Sequence, residues 1–344
     1  MELLDKIIDY LHYHPLSKRL DIEEFVGAAA SRATVKRLLV AGIEGGMIVA
    51  TGNNRATVYS ITPKAHVLRT VDLDSYYAVD TDHRSVQSGY NFELIRDELP
   101  KIDLFTEAEK ANLTEWRKIF DAHMKDIPPA IYNRELERLG IDLSWKSSQI
   151  EGNTYTLLET ETLLKEYKEA KGHSREEALM LLNHKSALKA IIERPQYFRT
   201  LSLSRIEDIH GVLVENMNVN PTLRYRRVRI TGTKYQPLDV ESQIREAVED
   251  ACALLNGKSD PYEKALLALL LIAYIQPFED GNKRTSRLVA NALLLANQCC
   301  PLTFRSVDAN DYRAALLLFY EQNNISAFKK IFLEQVAFAV NEYF

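Results

Sequence analysis

The sequence predicts a mainly α-helical chain: a helical bundle with one β-hairpin, preceded by a small N-terminal domain of three helices and a hairpin of its own. Three observations carry this. From Thr106 onward apolar residues recur at helical spacing almost throughout. Residues 1–65 contain three short periodic stretches followed by two alternating ones. The apolar run 265–275 stops at Gln276-Pro277-Phe278, passes through Glu279-Asp280-Gly281-Asn282, and re-enters an amphipathic pattern at Lys283, which reads as buried helix, tight loop and second helix.

In the N-terminal part, Leu3, Leu4, Ile7, Ile8 and Leu11 share a helical face that Pro15 closes. A second helix fits 22–30. Ser31 caps a third over 32–44, with Val35, Leu38, Leu39 and Ile43 inward and Gly45-Gly46 as its stop. Strands are expected at 47–50 and 56–61, joined by a turn at 51–55. Three helices and a hairpin resemble a winged helix-turn-helix domain, which implies DNA as a partner. Arg32, Thr34, Lys36 and Arg37 would face outward on the recognition helix and Arg55 would sit in the wing, residue types that meet phosphates and base edges. Eight Lys and Arg against seven Asp and Glu in 1–65 make a weak electrostatic footprint for DNA, so a protein-contact role stands beside it.

At 344 residues the chain can hold two cores, and 46% hydrophobic with 26% charged residues is an ordinary globular composition. The longest apolar run falls short of the roughly 20 residues that span a bilayer, so no membrane partner is expected. The net charge of −5 argues against a nucleic-acid coat. Cys252, Cys299 and Cys300 offer neither a disulfide framework nor zinc spacing, and the N-terminus lacks the pattern of a secretion signal, which together point to the cytoplasm.

Residues 66–105 read as an irregular connector. Thr106 with Glu109 forms a capping-box pattern, and Pro128-Pro129 separates that helix from the next. Helices are expected over 154–172, 174–194, 203–216, 241–255, 261–275, 283–298, 309–321 and 325–343. His184 and His210 are assigned structural roles within them. The segment 223–237 alternates and turns at Gly232, and its Arg224, Arg226, Arg227 and Arg229 fit a solvated basic strand.

The loop at 276–287 has its own chemistry. Gly281 lets a ligand approach the backbone closely, and the helix N-terminus after it favours an anion. Arg284 and Arg287, three apart, share a helix face and can grip phosphate oxygens, while Asp280 can hold a divalent cation among them. Read without a family, the same residues make a helix-loop-helix with a solvated basic face. The string Gln276-Pro277-Phe278-Glu279-Asp280-Gly281-Asn282-Lys283-Arg284-Thr285-Ser286-Arg287 resembles the signature of the Fic (Fido) family, His-Pro-Phe-x-x-Gly-Asn-x-x-Arg followed by a second Arg. The resemblance implies a Fic-type helical bundle with a β-hairpin flap that binds ATP with Mg²⁺ and transfers AMP to a Tyr, Ser or Thr hydroxyl of a target protein. It assigns nucleotide contacts to Phe278, Gly281, Asn282, Lys283, Arg284 and Arg287, the metal to Asp280, and the flap to Ile230, Thr231, Gly232, Thr233 and Lys234.

Two positions depart from the pattern. Gln276 stands where the family has its catalytic His, and an amide cannot take up a proton near neutral pH. Lys283 stands where many AMP-transferring members have Gly; Doc-type relatives carry Lys there and transfer the γ-phosphoryl group. Upstream, Ser147, Glu151 and Gly152 resemble the family's inhibitory motif, Ser/Thr-x-x-x-Glu-Gly/Asn, in the order that marks class II members. There the Glu would pair with Arg287 in the place of the γ-phosphate. Read locally, Glu151 ends a helix and Gly152 is its C-cap. Three functions follow: an AMP transferase autoinhibited by Glu151 and impaired at Gln276; de-AMPylation or phosphotransfer by the same site; or a nucleotide-sensing, DNA-binding regulator without catalysis. Homodimerisation is compatible with each.

Overall fold

Fifteen α-helices and three short strands are present among the described residues of the computed structural model, which covers 2–344 and leaves the Arg55 side chain, expected in the wing, outside what it describes. Contacts divide the chain into two units: residues 1–87 with 232–234 and 314–328, and residues 88–231 with 235–313 and 329–344.

The first unit begins with α1 (Leu3–Tyr13), β1 (Ser17–Lys18), α2 (Arg19–Val26) and α3 (Arg32–Glu44). Ser31 caps α3 as expected, its hydroxyl accepting the Thr34 N–H at 3.2 Å. Strands β2 (Ile48–Thr51) and β3 (Val58–Ile61) pair antiparallel with Ile48 opposite Ile61, and β1 adds to β3 to give the order β1-β3-β2. Ile7, Ile8, Leu11, Ile22, Val35, Leu39 and Ile48 form the core.

Several expectations change here. The second helix starts at Arg19 and gives way to a 3-10 turn after Val26. Ile43 is 40% exposed rather than inward, because α3 meets the sheet at Gly42, where a Cβ would lie 2.6 Å from Ile48 Cδ1. On the outward face Lys36 and Arg37 are exposed, Thr34 is half-buried with its hydroxyl 3.0 Å from Ser31 Oγ, and Arg32 pairs with Glu23. The supposed connector is not a separate element. It carries α4 (Pro63–Leu68) and α5 (Leu73–Ala78), and its first part joins this unit because Tyr76 and Arg84 both close on the buried Glu321 carboxylate, at 2.7 and 3.0 Å. Asn324 Nδ2 likewise donates to the carbonyls of His66 and Arg69.

The second unit contains α6 (Glu107–Lys125), α7 (Pro129–Ile150), α8 (Leu157–Glu166), α9 (Arg175–Glu193), α10 (Leu203–Leu213), α11 (Glu241–Gly257), α12 (Pro261–Ile275) and α13 (Asn282–Ala296). Two further helices, α14 (Ala309–Gln322) and α15 (Ser326–Glu342), complete the chain. The helix expected over 154–172 is only α8: its capping box, Thr156 with Glu159, sets the start, and Tyr167 in the left-handed region ends it. The axis of the unit is α12, every residue of which from Ala265 to Ile275 is buried, packed along α13 and α11. Helices α9 and α10 lie against each other and against α13, and α7 meets both α9 and α13.

The segment 223–238 forms no strand ladder; it turns at Thr231 and Gly232, the latter at φ +86°. Its shape is set by Arg224, which is wholly buried instead of solvated. Arg224 donates to the carbonyls of Gln276, Arg226 and Leu238, while Arg226, Arg227 and Arg229 stay exposed. Among the described residues no helix is long and apolar enough to cross a membrane.

Because α12 is buried along its length, Leu270→Ala should cost about 2–5 kcal/mol. The denaturant midpoint of the full chain should fall with little change in slope; an unmoved midpoint would contradict the packing described.

Candidate active site

Helix α12 ends at Gln276, which adopts the left-handed conformation (φ +52°) that turns the chain back toward α13. Its side chain is engaged at both ends: Nε2 donates to the Ala273 carbonyl at 2.6 Å, and Oε1 accepts from Asn282 Nδ2 at 3.0 Å. Asn282 also accepts the Phe278 N–H (2.8 Å) and donates to the Phe278 carbonyl (2.8 Å), so one buried amide closes the whole loop. Gly281, at φ +79°, is the N-cap of α13 and supplies a backbone turn that a residue with Cβ would strain. Phe278 was expected to touch nucleotide. Its ring is instead fully buried and stacked on His210, so it packs the loop from behind.

The basic residues of α13 do not form a solvated face. Arg284 is 1% exposed and Arg287 is fully buried. Arg284 Nη2 donates to Asp280 Oδ2 at 2.8 Å, while its Nη1 is buried with no hydrogen-bond partner, a guanidinium N–H still owed an anion. Arg287 reaches α7: Nε donates to Ser147 Oγ (2.8 Å), and Nη2 to the Ser147 carbonyl (2.9 Å) and to Glu151 Oε1 (2.9 Å). The other Glu151 oxygen accepts from Lys283 Nζ at 3.1 Å. One carboxylate thus bridges two cations a helical turn apart. Burial alone would raise the Glu151 carboxyl, but the Arg287 and Lys283 charges outweigh it and hold it below the usual glutamate range.

Glu151 is the C-cap of α7, and Gly152 follows it at φ +97°. Arg313 fastens this end by donating from Nε and Nη2 to the Ile150 carbonyl. The structure therefore unites Ser147, Glu151, Lys283 and Arg287, and separately Gln276, Gly281 and Asn282 within one loop. The expected flap is divided: Ile230 and Thr231 group with the second unit, and Gly232, Thr233 and Lys234 with the first.

Among the described residues no three His, Cys, Asp or Glu side chains cluster as a metal site. Asp280, with a side chain 63% exposed, offers a single carboxylate. That donor set fits Mg²⁺ arriving with phosphate, since Mg²⁺ keeps several waters and is commonly held by one or two protein carboxylates.

Three contributors were not visible in the sequence. Arg224 lay in a run of like residues, Arg313 bonds only to main chain, and His210 lies outside the motif although its Nε2 is 2.9 Å from the Asp280 carbonyl oxygen. His184 keeps its structural assignment. It is wholly buried near Ser144, and burial with the Arg287 and Arg284 charges pushes its pKa well down, leaving a neutral ring.

The Glu151 carboxyl is depressed in the fold, so its contribution is complete above the ordinary value of 4.5 and disappears as pH falls through the folded value. The thermal midpoint of the parent should exceed that of Glu151→Gln by a constant margin from about pH 8 to 5 and by a shrinking one below that. A margin that widens on acidification would refute the two-cation contact.

Residues 200–294, from just before α10 to near the end of α13, match the Fic/DOC family. The chain is similar to the protein adenylyltransferase Fic of Nematostella vectensis, 27% identical over 219 residues, 62% of this chain and 51% of that protein. It is also similar to the protein adenylyltransferase fic-1 of Caenorhabditis elegans, 26% identical over 175 residues, 48% of this chain and 34% of that one. The chain thus spans about half or less of the curated relatives it matches. Among solved structures, C. elegans Fic-1 (residues 134–508) superposes with TM-score 0.61 at 19% identity, covering 69% of this chain and 72% of that one. A Fic domain containing signaling protein from Bacteroides thetaiotaomicron gives 0.56 at 19% identity, covering 67% and 96%. With the motif loop, α12 and all of α13 but Leu295 and Ala296 inside the matched span, the chain carries a Fic/DOC domain at residues 200–294 in the helical fold of the Fic proteins.

Proposed function

We propose that this site binds ATP with Mg²⁺ and is built to transfer AMP to a Tyr, Ser or Thr hydroxyl of a target protein, with Glu151 holding it off and Gln276 limiting its rate. The observation that carries the reading is the Glu151 carboxylate received by Arg287 on one oxygen and Lys283 on the other. Arg and Lys converging on an anion at a helix N-terminus make a phosphate site, and the carboxylate is the phosphate's stand-in. Once Glu151 leaves, Arg287 is a buried charge that needs another anion.

In this reading Lys283, Arg284 and Arg287 bind the phosphates, the amides at Gly281 and Asn282 face them, and Asp280 holds the metal, which would offset phosphate charge. The target hydroxyl oxygen bonds to the α-phosphorus while the bond to the β-phosphate oxygen breaks, pyrophosphate leaves, and the hydroxyl proton needs an acceptor. Gln276 is none, and losing a general base costs about 10²–10⁴-fold. The names of the relatives, protein adenylyltransferases, support the same chemistry.

A second reading, nucleotide binding without turnover in a regulator whose N-terminal domain meets DNA, is favoured by one observation. Each end of the Gln276 amide is engaged once within the loop, which restricts its side chain, and the amide has no basic lone pair to take a proton.

Labelling with ATP tagged on the α-phosphate, in Mg²⁺, separates them across four proteins: the parent, Glu151→Gly, Gln276→His and the double change. AMP transfer predicts label only, or at least 10²-fold more, in the double change. Saturable ATP binding with no label in any of the four would leave the regulator. Label that appears only when the tag is on the γ-phosphate would assign phosphotransfer.

A further inference from the structure

His210, on α10, is fully buried and reaches the motif loop from outside it. Its ring lies flat on Phe278, centroids 3.7 Å apart and planes within 4°. Nε2 is 2.9 Å from the Asp280 carbonyl oxygen and Nδ1 is 2.9 Å from that of Pro221. A Cβ on Gly281 would come within 3.5 Å of the same ring.

Three other carbonyls of the loop are also tied back. Gln276 O accepts from Arg224 Nε at 2.6 Å, Pro277 O from the Arg224 main-chain N–H at 3.0 Å, and Phe278 O from Asn282. In a planar trans peptide the C=O and the following N–H point opposite ways. In the tautomer that carries its proton on Nε2, His210 holds the Asp280 carbonyl and so aims the Gly281 N–H away from the ring, with the free N–H groups of the first turn of α13. Of the tied carbonyls, Gln276 O is followed by a proline with no N–H, and Pro277 O by the Phe278 N–H already bound to Asn282. Phe278 O is followed by the Glu279 N–H, two residues ahead of Gly281, so the Asp280–Gly281 peptide is the tied one that adjoins the N-terminus of α13, where an anion is favoured.

We infer that His210 is a positioning residue for phosphate: by pinning the Asp280–Gly281 peptide it presents the Gly281 N–H to the phosphates of a nucleotide. This rests on the reading that the loop binds a nucleoside triphosphate. A flipped peptide would present a carbonyl oxygen to the phosphates instead. The effect belongs to the phosphates and not to the nucleoside.

The test is affinity for ATP and for adenosine in the full chain, in a Glu151→Gly background, with and without His210→Phe. The Phe ring keeps the stack on Phe278 and removes both ring nitrogens, including the one N–H of the neutral imidazole. ATP should bind about tenfold more weakly, the scale of one lost phosphate hydrogen bond, while adenosine affinity stays within about twofold. His210→Gln, which restores one donor, should recover part of the ATP affinity. Equal losses for ATP and adenosine would make His210 merely structural and overturn the inference, as would unchanged ATP affinity. If the Glu151→Gly parent binds no ATP at all, the nucleotide reading itself fails and takes the inference with it. Independently of any His210 variant, the Gly281 amide signal of glycine-labelled Glu151→Gly protein should shift on ATP addition and not on adenosine addition; an unmoved signal with ATP bound overturns the inference.

Discussion

A guanidinium with no solvent exposure is the constraint on which the second unit is built. Arg287 sits within α13 among packed side chains, and a charge so placed is tolerated only where hydrogen bonds and an opposite charge meet it. Ser147 and Glu151 meet it, and in doing so they fix where α7 crosses α13. Arg313 on the Ile150 carbonyl and Gly152 beyond Glu151 then hold the end of α7 in the one position from which the carboxylate reaches. Removing one partner of such a pair typically costs about 3–5 kcal/mol, because the remaining charge is stranded.

The loop between α12 and α13 obeys a different economy, that of main-chain polarity. A tight reversal between two buried helices carries carbonyl oxygens that water cannot reach, and each must find a donor. Asn282, Arg224 and His210 provide them, from within the motif, from the segment 223–238 and from α10. Tying these carbonyls back meets the loop's polar demand from within the fold, and the first-turn N–H groups of α13 stay without a helical partner, as at any helix start.

What the sequence displayed and what it hid divide along the same lines. The bounds of α3, with Ser31 at one end and Gly45 at the other, those of α12, and the start of α13 to within one residue were legible because local chemistry sets them: a capping hydroxyl, a run of apolar residues, a glycine needing positive φ. The Ser147, Glu151 and Arg287 association was legible through two motifs in a fixed order. Strand β1 was not, since two residues show no alternation. Arg224 was taken for a solvated residue because its neighbours Arg226, Arg227 and Arg229 are solvated, and nothing local marks which of four arginines turns inward. His210 was given only a structural role because its partners are main-chain oxygens, which any sequence supplies; Asp280 lies 70 residues away. Ile43 looked apolar and inward, but the close approach of Gly42 to Ile48 set the rotation of α3.

The two cations on Glu151 are unequal in depth: Arg287 is sealed, whereas the Lys283 side chain is 28% exposed. Mobile ions reach the outer contact and scarcely the inner one, since screening acts on exposed charges and spares buried ones. The grip on α7 is therefore graded. Ionic strength trims its rim and leaves its root in place, so added salt weakens the Lys283 contact well before the Arg287 one.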